Sequence, residues 1–181
     1  MTGGTGDIKP QWMVLNSSVV TTAQYTSNKF PLPSNRFGNT KGSSVIVEIL
    51  KAQWFGQIAN LADTAETVVG IISTSQLRTT TDACTLATIE DDFSNANVLD
   101  GVVRNEVVTT SGQKSTVLPI VHDLTDNNGN GILVATDNIF LTTGGLSIAN
   151  VGVMTVRLLY RFVKVTLAEY IGIVQGQSSS G

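Results

Sequence analysis

The chain has 181 residues, 41% hydrophobic and 14% charged, with a formal net charge of −3, which is long and apolar enough for one domain with a sizeable core and excludes a highly charged disordered segment. One cysteine, Cys84, excludes an intrachain disulfide and a thiolate zinc cluster; the opening MTGGTGDIKPQWM lacks the charged-then-apolar pattern of an export signal, and no run approaches the ~20 apolar residues of a membrane span. A soluble chain made in a reducing compartment, without membrane insertion, is expected, and its charge is divided: +3 over residues 1–60, −8 over 61–138 and +2 over 139–181, which can give two electrically different surfaces.

In chain order, a Gly/Thr-rich segment (1–9) precedes a domain expected over 10–177, with a flexible tail at 178–181. Gln11 to Thr22, rich in β-branched residues, reads as a strand. The Pro, Asn, Gly and Ser of SNKFPLPSNRFGNTKGSS (27–44) read as a long connection. Ser44 to Trp54 alternates, with Ile46, Leu50, Ala52 and Trp54 on one face, Glu48 interrupting it and Lys51 opposite. Thr67 to Thr74 is a compact apolar run around Gly70, where a bulge or a close neighbour would explain the glycine. Ser75 to Gly101 reads as a long polar loop whose acids suggest an outer surface. Further strands are expected around Val102 to Thr109, Ser115 to His122 and Gly131 to Thr143. The clearest strand begins at Gly152: Met154, Val156, Leu158, Tyr160 and Phe162 point one way, and Thr155, Arg157, Leu159 and Arg161 the other. Helical period is almost absent. Thr166 followed by Glu169 matches a capping box, sufficient for a single turn. About eight strands with long connections and no internal repeat predict an all-β, single-domain, eight-stranded antiparallel jelly-roll sandwich.

Catalytic chemistry finds little support. His122, the single histidine, adjoins Asp123, but a locally bonded strand-end histidine is preferred over a base. Cys84 has no neighbouring cation in the sequence to activate it. Glu90, Asp91 and Asp92 read as a solvated acidic loop, and no phosphate-cradling glycine motif is present. One local pattern is sharper: Asp126, Asn128, Asn130, Gly131 and Asp137 stand at positions 1, 3, 5, 6 and 12 of a calcium loop. Its competitor, which we prefer, is a hairpin turn built on Asn128-Gly129 and Asn130-Gly131. Ca2+ at Asp126, Asn128, Asn130 and Asp137 thus stays open as the one cofactor expectation.

Two phrases, GNGILVATDNIF (Gly129 to Phe140) and VRLLYRFVKVTLAEYIGIVQGQ (Val156 to Gln177), resemble the C-terminal half of capsid proteins from small circular, Rep-encoding single-stranded DNA viruses of the circovirus-like, environmental kind. The resemblance implies a jelly-roll coat subunit of the virion without catalytic residues, made inside a host cell. Its partners would be its own copies, about 60 in the simplest icosahedral shell, a single-stranded DNA genome and an unidentified receptor. Such proteins usually begin with an arginine-rich arm, whereas this sequence begins MTGGTGDIKP. Phosphate neutralisation would then fall to Lys9, Lys29, Arg36 and Lys41 in the basic first third and to Arg157, Arg161 and Lys164 around the last strand. For Arg157 and Arg161, pairing with acids of a neighbouring strand or subunit is an equal alternative. The runner-up function is a β-sandwich carbohydrate- or receptor-binding module, disfavoured because aromatics are 6% of residues and Trp12 and Trp54 fall within expected strands.

Overall fold

The computed structural model describes residues 9–19, 23–32, 43–58, 66–106, 118–146 and 152–178. Along the chain these form β1 (Gln11–Val19), β2 (Tyr25–Pro31), β3 (Ser43–Ile58), β4 (Glu66–Ser73), α1 (Leu86–Ser94), β5 (Val98–Glu106), β6 (Ile120–Asp123), β7 (Ile132–Val134), β8 (Asn138–Leu146), β9 (Gly152–Thr166) and α2 (Leu167–Ser178). One sheet has the order β1-β9-β3-β6, with β7 also on β3, and the other has the order β2-β8-β4-β5. Every pairing is antiparallel. The chain crosses from sheet to sheet between β1 and β2, β2 and β3, and β3 and β4, and again between β5 and β6, β7 and β8, and β8 and β9, which is jelly-roll wiring.

The last strand behaves as its alternation demands. Met154, Val156, Leu158 and Tyr160 are buried in the core between the sheets, each burial worth about 1.5–3 kcal/mol, while Arg157 and Arg161 face outward with Thr155 and Leu159. β3 departs from the expected face. The register against β9 slips between Ile49 and Lys51, so that Val47 and Ile49 join Ala52 and Trp54 in the core. Leu50 is the extra residue of a bulge, which reverses the inward parity on either side of it. Glu48 therefore does not interrupt the apolar face; it belongs to the outer one.

Trp54, fully buried, lies over Gly70 of β4: a Cβ at Gly70 would stand 2.7 Å from the indole Cζ3. The close neighbour expected for that glycine is the indole ring. Polar links also tie the sheets together. Ser17 of β1 and Thr143 of β8 share a 2.8 Å hydrogen bond, and the Asn28 amide of β2 donates to Ser17 Oγ at 3.1 Å.

Three stretches differ from the sequence expectation. The stretch that reads as a connection from residue 27 onward holds most of β2, paired with β8 despite its Lys29 and Pro31. The long loop of 75–101 contains α1 and the first residues of β5. Thr85 and Thr88 cap α1 reciprocally, and its buried Ile89 packs with Cys84, Tyr25, Val69 and Ile71 on the outer side of the second sheet. Of the acids assigned to a solvated loop, Glu90 and Asp91 are exposed, but Asp92 is buried and accepts from Arg78 Nε at 2.9 and 3.2 Å. Finally, the strand expected over Gly131 to Thr143 is two strands in different sheets, β7 and β8.

The capping box at Thr166 and Glu169 is present, with the Thr166 N–H donating to Glu169 Oε2 at 2.7 Å and the Glu169 N–H to Thr166 Oγ1 at 3.3 Å. It starts a twelve-residue helix rather than a single turn. Near the end of α2, Gln177 Nε2 donates to Leu133 O at 2.7 Å, and its Oε1 accepts from the Ala135 N–H at 3.1 Å. No helix among the described residues is long and apolar enough to cross a membrane.

Candidate functional site

β6 and β7 pair with successive parts of β3, Asp123 opposite Lys51 and Ile132 opposite Ile49. They are two pieces of one edge lane, and residues 124–131 loop out between them. The loop closes on itself. The Gly129 N–H donates to Asp126 O at 3.0 Å and the Asp126 N–H to Asn130 O at 2.8 Å, with Gly129 at φ +79°. This pattern is a three-residue hairpin tip ending in a left-handed glycine.

Asp126 holds the tip together. Its Oδ1 accepts from the N–H groups of Asn128 and Asn130, both at 2.8 Å, and its Oδ2 from Asn130 Nδ2 at 3.0 Å. Asp137 lies beyond the far end of β7, and among the described residues no three or more His, Cys, Asp or Glu gather as metal ligands do. The Asn130 side chain, followed by the backbone N–H groups, holds the Asp126 carboxyl below its usual pKa. A depressed carboxylate stabilises the fold above its unfolded pKa, and that contribution fades as pH falls through the folded value. Asp126→Ala should therefore lower the melting temperature equally in calcium and in chelator at neutral pH, with the gap to wild type closing in acid. Scanning calorimetry checks this; a loss confined to calcium would instead support the metal reading.

The candidate cations are dispersed. Arg36 and Lys41 lie outside the described residues. Lys9 precedes β1 and Lys164 lies on β9 opposite Val45, both exposed and at the same end of the first sheet. Lys29 is exposed on β2, in the other sheet. Arg161 is engaged within its own sheet, its Nε donating to Glu48 Oε2. Glu48 is buried, and its Oε1 also accepts from the Gly131 N–H at 2.7 Å. Arg157 takes a third course, with its guanidinium over the Trp12 ring, 4.9 Å from the centroid.

A polar cluster between the sheets escaped the sequence reading. Asp100 of β5 accepts from Trp54 Nε1 at 2.8 Å, and its carboxylate meets His122 Nδ1 at 2.8 and 3.0 Å. The carboxylate at His122 is therefore Asp100 and not the adjacent Asp123, which accepts instead from the N–H and hydroxyl of Thr125. Buried Arg104 donates to Trp54 O at 3.1 Å and Leu118 O at 2.9 Å. These bonds join residues 14 to 50 apart along the chain; only the sheet pairing, not local spacing, could have found them. Cys84 is buried, and that burial pushes its thiol pKa up, away from nucleophile chemistry.

No protein-family model and no curated protein sequence matches the chain. Solved structures do resemble it. VP1 of Trichodysplasia spinulosa-associated polyomavirus, in complex with GM1 oligosaccharide, aligns at a TM-score of 0.51 and 10% identity over 91% of this chain and 97% of its own. Human Polyomavirus 12 VP1, in complex with 3'-sialyllactosamine, aligns at 0.51 and 11% identity over 86% and 100%. The Merkel Cell Polyomavirus virus-like particle aligns at 0.52 and 11% identity over 91% and 77%. At such identities the shared property is the jelly-roll fold.

Proposed function

We propose that the chain is the coat subunit of a small virus, assembling with copies of itself into a closed icosahedral shell around a single-stranded DNA genome. One observation carries the reading: nearly the whole described chain is spent on a single jelly roll whose overall fold is similar to that of polyomavirus capsid proteins. The wording of Gly129 to Phe140 and Val156 to Gln177 supports the circular single-stranded DNA kind of virus. Lys9 and Lys164, at one end of the first sheet, and Lys29, on the second, are the described cations exposed to meet phosphate.

Purified protein should form uniform closed particles, about 60 subunits in the simplest case, which protect single-stranded DNA from nuclease. Electron microscopy and nuclease treatment test this; monomers or dimers across a wide range of salt and pH would overturn it. A second reading, a β-sandwich that binds carbohydrate or a receptor, is favoured by the sialylated glycans in the neighbouring complexes. It expects a monomer that binds such glycans without assembling.

A further inference from the structure

The outer face of the first sheet is laid out by its registers. Trp12, Leu159, Lys51 and Asp123 stand side by side across β1, β9, β3 and β6; Val14, Arg157, Gln53 and Val121 form the next row. Trp12 is 41% exposed, Val14 53% and Val121 51%, and Val153 of β9 is exposed further along. The solvent side of an antiparallel sheet is ordinarily polar, whereas here Trp12 and Val14 adjoin on β1, with Val121 three strands across; exposed apolar groups that cluster mark an interaction surface. Arg157, fixed over the Trp12 ring, supplies a cation at the centre of this face. Tryptophan and arginine are the side chains that most often anchor protein interfaces.

The opposite outer face of the sandwich is partly covered by α1, and its character is the reverse. Ile89 and Asp92 are the buried residues of this helix, which turns Leu86, Glu90 and Asp91 outward at helical spacing. Leu86 is 67% exposed, and the helix LATIEDDFS contains no basic residue. Arg78 is committed to Asp92, so the outward charge is that of Glu90 and Asp91. One face thus offers apolar groups around a cation, the other an apolar group beside two carboxylates.

We infer that α1 of one copy seats on the β1-β9-β3 face of the next, with Leu86 against Trp12 and Val14, and with Glu90 and Asp91 at Arg157. The inference rests on the self-assembly reading and names the surfaces that would carry it. Because the two patches lie on opposite sides of one subunit, the contact is head-to-tail, and repetition closes a ring when the rotation between copies divides a full turn. A nucleic acid is the weaker occupant of this face, since Lys51 stands opposite Asp123 and Arg161 is held by Glu48, leaving little net positive charge for a phosphate backbone.

Charge exchange tests it. Arg157→Glu alone, and Glu90→Arg with Asp91→Arg, should each raise the concentration needed for assembly at least tenfold, while the combination in one chain restores much of the loss. Leu86→Ser should weaken assembly without altering the melting temperature of the subunit. Analytical ultracentrifugation gives the first readout and calorimetry the second. Assembly indifferent to both reversals would overturn the interface and leave the coat reading standing; so would particles that stay intact but lose DNA with Arg157→Glu, which points to nucleic acid. A combined variant no better than either reversal overturns the pairing of these patches. Wild-type protein that never assembles overturns both readings together.

Discussion

Trp54→Ala is expected to cost about 3–5 kcal/mol of folding stability, the range for removing a buried aromatic ring. Two effects add. The side chain is wholly buried between the sheets, over a glycine that has no atoms with which to fill the vacated space. Its indole N–H also supplies one of the hydrogen bonds to Asp100, a carboxylate that among the described residues would keep its bonds to His122. Trp54→Phe separates the two effects, because it keeps most of the ring and loses the donor, at a cost of about 1–3 kcal/mol. Urea unfolding monitored by circular dichroism measures both; an alanine variant within 1 kcal/mol of wild type would contradict the packing described for β3 and β4.

The second large effect is expected at Glu48. Its side chain is 2% exposed and receives both the Arg161 guanidinium and the Gly131 N–H. Removing one member of a buried pair costs about 3–5 kcal/mol because the other loses its counter-charge. Arg161 is about one-third exposed and recovers part of this by turning to water, so Glu48→Ala should fall near the lower end. Replacing both residues with leucine should be milder than the sum of the single changes, since no lone charge remains. A double-mutant cycle reads the coupling directly, and strict additivity would mean that the pair contributes nothing.

The two residues also show what the sequence could and could not reveal. In β9 a period of two runs unbroken for nine residues, Met154 to Phe162, so the core face and the outward arginines were legible. In β3 the same kind of alternation misled, because the bulge at Leu50 has no local signature and moves Glu48 to the opposite side from the one its spacing gives. α1 was missed for a different reason. Its apolar residues, Leu86, Ile89 and Phe93, cover little more than two turns and only Ile89 of them is buried, so the helix is held as much by reciprocal threonine caps and by the Arg78 to Asp92 pair. α2 carries apolar residues on nearly every side along with Gly172 and Gly176, so neither period nor propensity announced more than its first turn. Of the candidate cations, Arg157 and Arg161 were correctly assigned to the outward face of their strand. Their partners, an indole on β1 and a carboxylate on β3, depend on sheet order, which no single strand encodes.

The amide of Gln177 has a further consequence. A primary carboxamide sets an N–H donor beside a carbonyl acceptor, as a peptide unit does, and here it meets the Leu133 carbonyl and the Ala135 N–H as a neighbouring strand would. A bare strand margin is a template on which any extended polypeptide can anneal, and a crowd of identical chains offers many such polypeptides. By lodging a counterfeit strand residue on β7, the end of α2 withholds that template. One side chain thereby occupies the two backbone groups to which a further strand would bond at that margin.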